Sequence, residues 1–290
     1  MWRLAVVTCC IVPIALHAQT DHFQTRVLVT APEGVAVANL AIADVEVEQD
    51  GRKANDSPPV IQQTMPLRIG IVFDESGSGR RSTLHTFLLE RALDWAAAAL
   101  ARYGGDAFLV GFNDQIIIST EIVTDISQLR RALSQMHPIG GSAVRDALVH
   151  STQKFYAFGP ELKPTARVLV FVSDGFDNAS YEKERNAIES AQRSGVRVYT
   201  ISFPSPEAAA GKSLLERFSQ RTGGKSFSPR DEREVSSVLT ALDRDLANSF
   251  LISFVPEAGD GKFHHLNVSL SKMPNADLRF MSEFYAPRKP

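Results

Sequence analysis

The chain has 290 residues and a formal net charge of −2, with 31 Lys and Arg residues against 33 Asp and Glu residues. This balance leaves no basic surface of the kind that nucleic acids or anionic membranes attract, so we expect neither as a partner. The only two cysteines are Cys9 and Cys10, at the start of the chain. We therefore expect a mature protein without disulfides, stabilised by a buried core.

Residues 1–18 have the layout of a secretory signal peptide, with Arg3 followed by an apolar run and the small residue Ala18. We expect cleavage after Ala18 and export, to the periplasm, the cell surface or the medium. No later stretch offers the ~20 apolar residues of a membrane-spanning helix, so no transmembrane segment is expected in the mature chain. A lipoprotein with a lipidated cysteine is the alternative, although Thr8 fits poorly before such a cysteine.

Residues 19–65 show a strand-like pattern and are predicted to form an N-terminal β region. Residues 27–29, 35–37 and 45–48 are the predicted strands, and the last of them alternates apolar and charged residues before the turn Asp50-Gly51. The consecutive prolines at 58 and 59 interrupt the pattern, because proline cannot continue a central strand.

The next stretch, residues 67–73, is a short apolar run that ends abruptly in Asp74-Glu75-Ser76-Gly77-Ser78-Gly79. Such a run is typical of a buried parallel strand that leads into a loop. Ligands of open α/β sheets bind beyond the carboxyl ends of the strands. The carboxylate and hydroxyls in this loop are hard oxygen ligands, suited to magnesium, calcium or manganese.

Residues 66–248 alternate between strand and helix patterns and are predicted to form one domain. The expected fold is α/β: a Rossmann-like, doubly wound, mostly parallel sheet with one antiparallel edge strand at 116–121. The other predicted strands are 107–112, 167–172, 196–203 and a short one near 227. The predicted helices begin after Ser82, as N-cap, and continue with 126–136, 143–158, 182–193, 214–220 and 232–247.

Residues 249–290 return to a period of two, which predicts a C-terminal β region with strands at 250–255, 264–270 and 278–284. Isolated strand pairs are marginal in water, so each terminal β region needs a neighbour. We expect the two regions to pair with each other and to form one β unit that flanks the α/β domain.

Two further motifs join the Asp74 loop. Gly140-Gly141-Ser142-Ala143 opens a predicted helix, and Ser173-Asp174-Gly175 follows a predicted strand. With these three pieces the chain resembles the von Willebrand factor type A domain and its metal-ion-dependent adhesion site. The resemblance assigns metal-binding roles to the following residues: Asp74, Ser76, Ser78, Ser142 (where the family usually has threonine) and Asp174. The flanking sequences Asp50-Gly51 and Tyr285-Ala286-Pro287 are similar to those of bacterial exported members.

The resemblance implies a Mg²⁺ site, with Mn²⁺ or Ca²⁺ as alternatives, in which the serines bind directly or through water. Asp74 and Asp174 either bind or orient the other ligands. One coordination position then stays open for a carboxylate from a partner protein or another macromolecule, which implies a cation-dependent, adhesion-type binding module. The alternative is an envelope scaffold or assembly protein that does not use the metal. Glu75 and Asp177 lie close in sequence to the proposed ligands, and we expect both to be ordinary surface carboxylates.

We expect no enzymatic activity. The sequence contains neither a Gly-x-Ser-x-Gly elbow nor a His-Glu-x-x-His zinc pair. Gly211-Lys212-Ser213 and Gly224-Lys225-Ser226 look like the end of a phosphate loop but lack its first glycine. His264 and His265 are neighbours in a predicted strand and should face opposite sides, so they are not expected to share a metal. A hydrolase with an activated serine is the least supported alternative.

Overall fold

The computed structural model describes residues 25–53, 60–63, 65–133, 138–156, 164–257 and 259–288, so the predicted signal peptide lies outside the described residues. The strands are β1 (Thr25–Thr30), β2 (Val45–Gln49), β3 (Arg52–Lys53), β4 (Val60–Gln62), β5 (Leu67–Asp74), β6 (Gly105–Phe112), β7 (Ile116–Ser119), β8 (Ala166–Val172), β9 (Val196–Ile201), β10 (Ser226–Phe227), β11 (Ser249–Phe254), β12 (Phe263–Leu270) and β13 (Glu283–Tyr285). The helices are α1 (His85–Tyr103), α2 (Ser127–Leu133), α3 (Val144–Gln153), α4 (Glu184–Arg193), α5 (Ala208–Arg221) and α6 (Glu232–Ala247).

The central sheet has six strands in the order β10-β9-β8-β5-β6-β7. β5 lies in its interior and pairs in parallel with both β6 and β8, while β7 runs antiparallel at one edge. An interior strand covered on both faces must be apolar along its whole length, and seven of the eight residues of β5 are buried. The prediction of a mostly parallel sheet with one antiparallel edge strand is confirmed.

Helices cover both faces of this sheet, because side chains alternate along each strand. Ile71 of β5 belongs to a core cluster with residues of α1, α2 and α6, such as Leu88 and Leu242. Val72, the next residue, belongs to a second cluster with residues of α3, α4 and α5, such as Leu148. The doubly wound arrangement is therefore confirmed. No helix in the described part of the chain is long and apolar enough to cross a membrane.

The terminal segments pair with each other in two further sheets, of order β1-β11-β4 and β13-β12-β2-β3. β1 is antiparallel to β11, and β2 is antiparallel to β12, which confirms the predicted flanking β region. All six residues of β11 are buried. Leu251 packs with the central core cluster, whereas Phe250 and Ile252 pack in a third cluster with Val268 of β12. The three-stranded sheet is therefore a middle layer, covered on both faces.

A buried charged network joins this middle layer to the α/β domain. The guanidinium of Arg197, in β9, donates hydrogen bonds to the Leu28 carbonyl and to Thr30 and Ser249, and lies 3.7 Å from Asp245. Arg197 is only 1% exposed. Breaking such a buried pair by removing one partner typically costs about 3–5 kcal/mol. The flanking β region is thus attached by polar as well as apolar contacts.

Three local predictions are wrong. Residues 35–37 do not form a strand, and a short 3₁₀ turn, Val37–Asn39, occupies this place after a turn at Gly34, whose φ is +93°. Of the predicted strand 278–284, only β13 at its end is a strand, because this segment first crosses to pair Arg279 with Thr30 of β1. Helix α1 begins at His85 with Leu84 as N-cap, so Ser82 does not cap it.

The two neighbouring histidines of β12 differ, as predicted, in their surroundings. The His264 side chain is 12% exposed and lies between two carboxylates, with Nδ1 2.7 Å from Asp50 Oδ2 and Nε2 3.0 Å from Asp260 Oδ1. The His265 side chain is 78% exposed. Burial lowers the pKa of His264, but the hydrogen bonds to Asp260 and Asp50 outweigh it, so the pKa is raised from 6.5.

The raised pKa means that protonated His264 stabilises the folded state. This contribution to the free energy of unfolding is complete below the unfolded pKa of about 6.5, and it is lost as pH rises through the folded pKa. We expect the free energy of unfolding to fall over that range in the wild type and to fall less in His264→Gln. Urea denaturation at a series of pH values measures this. His265→Gln, the matched control, should keep the wild-type slope, and equal slopes for all three proteins would contradict the assignment.

Candidate functional site

The predicted site residues lie at the carboxyl edge of the central sheet. Asp74 is the last residue of β5, and Asp174 lies two residues beyond the end of β8, the neighbouring parallel strand. Ser76 and Ser78 are in the loop after β5, and Ser142 precedes α3. The peptide N–H of Gly77 donates to the carbonyl of Gly140, which holds the first loop against the segment that leads to Ser142.

Four of the five residues are joined by hydrogen bonds. Ser142 Oγ donates to Asp74 Oδ2 at 3.0 Å, and the Ser76 peptide N–H donates to Asp74 Oδ1 at 2.9 Å. Ser76 Oγ and Ser78 Oγ are 3.0 Å apart. Asp74, Ser76 and Ser142 are buried, whereas Ser78 is partly exposed. The structure therefore brings these oxygen atoms together beneath a surface that is open at Ser78.

Asp174 is held separately from this group. Its Oδ1 accepts from the Phe176 peptide N–H at 3.0 Å, and its Oδ2 accepts from Ser205 Oγ at 2.7 Å. Both of its carboxylate oxygens therefore already have partners. Its negative charge still acts on Asp74, as the pKa of Asp74 shows below.

Two hydroxyls of the site escaped the sequence analysis. Ser173 Oγ donates to Asp74 Oδ2 at 2.5 Å, and Ser205 binds Asp174. Ser173 belongs to the Ser173-Asp174-Gly175 motif, and its position directly before Asp174 could have identified it as a residue of the site. Ser205 follows β9, the parallel neighbour of β8, so strand order in the sheet would have placed it at this edge.

The site contains three buried carboxyl groups. Asp74 and Asp174 are fully buried and Glu75 is 2% exposed. Burial raises the pKa of Asp74 to about 6, and the charge of Asp174 adds to this, while hydrogen bonds from Ser173 and Ser76 oppose it. Burial and the neighbouring Asp74 raise the pKa of Glu75 to about 8. Among the described side chains, no Lys or Arg forms an ion pair with these three carboxyl groups. The prediction that Glu75 is a surface carboxylate is therefore wrong.

His85, the first residue of α1, contacts the loop that begins at Asp74. Its Nε2 lies 2.7 Å from the Asp74 carbonyl oxygen, so Nε2 carries the proton and donates. The imidazole also packs edge-to-face on Phe73 and Phe203. Burial lowers its pKa, which favours the neutral ring. A Cβ at Gly79 would lie 2.6 Å from this ring, so glycine at 79 makes the room that His85 fills.

The loop after Asp174 positions Ser142. Asn178 Oδ1 accepts from the Ser142 peptide N–H at 2.8 Å. Asp177 binds the Arg145 peptide N–H and guanidinium at the start of α3, outside the hydroxyl cluster. Its side chain is 6% exposed, so the prediction of a surface carboxylate is wrong here too. Gly175 has a φ of +78°, and Gly211 of α5 packs on it so closely that a Cβ at 211 would lie 2.2 Å from the Gly175 carbonyl carbon. Gly211 therefore allows α5 to pack against the turn after Asp174.

The oxygen spacing suits a small divalent cation. Adjacent ligands of an octahedral ion with metal–oxygen distances of about 2.1 Å lie about 3.0 Å apart, which is the separation of the Ser76 and Ser78 hydroxyls and of Ser142 Oγ from Asp74 Oδ2. No group of three or more His, Cys, Asp or Glu side chains in the described residues is arranged to hold a metal. A cation here would therefore depend on hydroxyl groups and water beside one or two carboxylates.

Solved structures share the fold at low sequence identity. An aerotolerance-related membrane protein from Bacteroides fragilis is 14% identical with a TM-score of 0.50, over 62% of this chain and 98% of that one. The PilB minor pilin from Streptococcus sanguinis is 13% identical with a TM-score of 0.51, over 64% of this chain and 62% of the pilin. Likeness at this identity shows the fold alone.

No curated protein is detectably similar to this sequence. The family model of the von Willebrand factor type A domain, in contrast, matches residues 69–241, which is more than half of the chain and includes every residue of the hydroxyl and carboxylate cluster described above. The chain belongs to the von Willebrand factor type A domain family.

Proposed function

We propose that this protein is an exported, divalent-cation-dependent binding module that recognises an acidic group on a partner through a metal held at the carboxyl edge of the sheet. Domains of this family often mediate protein–protein binding and are generally binding modules rather than enzymes. The observation that carries the proposal is a set of buried carboxyl groups with which no described Lys or Arg side chain pairs, beside hydroxyls at metal-ligand spacing. Buried charge needs a counter-charge, and a cation would supply it.

The residues present fit a metal-ion-dependent adhesion site. Ser76, Ser78 and Ser142 would hold the cation through their hydroxyls. Asp74 would bind it or keep these hydroxyls in place, and Asp174, whose oxygens are engaged by Ser205 and Phe176, would act through water or charge. A bound cation supplies a positive charge that an incoming carboxylate can share. Magnesium suits this oxygen set best, with Mn²⁺ or Ca²⁺ as alternatives.

The domain limits proposed from the sequence are a signal peptide at 1–18, β regions at 19–65 and 249–290, and the type A domain at 66–248. Export of a bacterial surface or periplasmic protein agrees with the kinds of protein that share the fold, a membrane protein and a pilin. The second candidate function is a metal-independent envelope scaffold. The predictions below separate the two.

The first prediction concerns the cation itself. A ligand that binds only the folded state at a hundredfold excess over Kd adds about 2.7 kcal/mol to stability. Millimolar Mg²⁺ or Mn²⁺ should therefore raise the melting temperature by several degrees, and Asp74→Asn should abolish the rise. Without metal, Asp74→Asn should melt at or above the wild-type temperature at neutral pH, because it removes a buried charge and keeps the side chain's size.

Asp177→Asn is the matched control, since Asp177 is an acidic residue of the neighbouring loop that binds Arg145 and lies outside the hydroxyl cluster. It should keep the response to Mg²⁺. A rise in Asp74→Asn as large as in the wild type would place the metal elsewhere.

The second prediction concerns Ser142, where the family usually has threonine. Threonine offers the same hydroxyl with a stiffer χ1, so less conformational freedom is lost when the oxygen is fixed. Ser142→Thr should hold or tighten metal binding, whereas Ser142→Ala should weaken it about tenfold or more. Titration calorimetry with Mg²⁺ measures both. Ser180→Ala, a hydroxyl loss at the same helix start, should leave the affinity near the wild-type value, and equal affinities for Ser142→Ala and wild type would exclude Ser142 as a ligand.

The third prediction concerns the partner. Immobilised protein should capture a partner from envelope extracts in Mg²⁺, EDTA should release it, and Asp74→Asn should fail to retain it. One metal contact is too small for stable recognition, because specific interfaces bury ~1,200–2,000 Å², so the surrounding loops must contribute. Phe176, 38% exposed, and Tyr181, 95% exposed, lie on one such loop. A partner retained equally in all three conditions would favour the scaffold.

A further inference from the structure

A cavity of about 450 Å³ lies beside the candidate metal site, on the other side of the Asp74 loop. Its walls come from the residue after β5, from the first turns of α1 and from α2. The residues that matter for its chemistry are Glu75, His85, Thr86, Leu89, Glu90 and Arg130. Its volume falls within the range of cavities that bind small ligands or a partner's side chain.

The carboxyl group of Glu75 is buried in this wall without a bonding partner. Glu75 is 2% exposed, and no described residue donates a hydrogen bond to its carboxyl oxygens. The nearest ionisable group is His85, whose Nε2 lies 3.7 Å from Glu75 Oε1, beyond hydrogen-bond distance. That nitrogen already donates to the Asp74 carbonyl. Because buried polar groups are normally hydrogen-bonded, an unpartnered carboxyl beside a cavity points to a missing donor.

The backbone on both sides of Glu75 is fixed. Its peptide N–H donates to the Phe112 carbonyl at 2.6 Å, and its carbonyl accepts from the Ile139 peptide N–H at 2.7 Å. The backbone position of Glu75 is therefore fixed between β6 and the segment that leads to Ser142. The carboxyl is held at the cavity wall by the same backbone that positions Asp74 and Ser76.

The charged residues around the cavity favour a cationic occupant. Arg130, the basic residue of the wall, forms an ion pair with Asp94, which offsets its positive charge. Glu90 is exposed and adds a second carboxylate. Leu89 offers an apolar surface. This combination suits an ammonium or guanidinium group on an aliphatic stem, since such stems pack on apolar surface while the charged end donates to carboxyl oxygens.

We propose that this cavity binds a basic side chain of a partner, a lysine or arginine, whose charged end donates to Glu75. None of the residues that line the cavity is a proposed metal ligand. The cavity would bind a positive charge of the partner, whereas the proposed metal site would bind a negative one. The inference rests on the proposed function in one respect, that a macromolecular partner supplies the basic side chain.

Small probes test the site directly. Purified ¹⁵N-labelled protein in EDTA is titrated with n-butylammonium chloride while the peptide resonances of Thr86, Leu89 and Glu90 are followed. We expect saturable shifts with a midpoint on the order of 10 mM, weak because the probe makes one charged contact. n-Butanol, which has the same shape without the charge, should not give saturable shifts at the same concentrations.

Glu75→Gln should weaken butylammonium binding roughly tenfold or more, because an amide oxygen accepts from an ammonium group less strongly than a carboxylate oxygen does. Glu121→Gln, which removes an exposed carboxylate elsewhere on the sheet edge, is the matched control and should bind like the wild type. Absence of saturable shifts in the wild type, equal binding by Glu75→Gln, or equal effects of butanol would each overturn the proposal. Because EDTA is present throughout, such a result leaves the Mg²⁺-induced rise in melting temperature as a separate test of the proposed function.

Discussion

The arrangement of the site depends on one constraint, the burial of the Asp74 carboxylate at the end of an interior strand. β5 is flanked in parallel by β6 and β8, and Asp74 at its carboxyl end is fully buried. The desolvation cost is met by donors from separate parts of the chain, the Ser142 and Ser173 hydroxyls and the Ser76 peptide N–H. Three loops are therefore held around one side chain, and a cation bound there would be bound by parts of the chain that the fold has already fixed.

The flanking β region lies at the opposite end of the sheet from this site. Arg197, which anchors the middle layer, is the second residue of β9, whereas Ser205, which binds Asp174, lies beyond the carboxyl end of the same strand. In a parallel sheet the two ends of every strand face opposite edges. The terminal strands can therefore add stability through the Arg197 and Asp245 network without covering the loops at which a partner would bind.

The sequence predicted best those features that depend on residues close together in the chain. A buried parallel strand needs an uninterrupted apolar run, so β5 and β8 and the polar residues that follow them were predictable, and with them Asp74, Ser76 and Asp174. It was least informative where packing between elements decides. The contact between Gly79 and the His85 ring forms only because the start of α1 packs against the loop after β5. The complete burial of β11 depends on two layers that cover it, one of them formed by distant segments. Glu75 was taken for a surface residue because composition cannot show which way a loop carboxylate turns.

Asp74 and Glu75 show how two neighbouring residues can serve different surfaces. Asp74 turns toward the hydroxyls of Ser76 and Ser142, while Glu75 turns toward α1 and α2, so the backbone between them separates two environments. The first offers hydroxyls and the Asp74 carboxyl group at metal-ligand spacing, and the second offers the buried Glu75 carboxyl group beside apolar surface. A small hard cation fits the first and a cation on a carbon stem fits the second. Because both carboxyl groups are buried and the charge of Asp74 raises the pKa of Glu75, a positive charge at the metal site would also favour ionisation of Glu75. Recognition at this edge of the sheet would then depend on the partner's basic groups as well as its acidic ones.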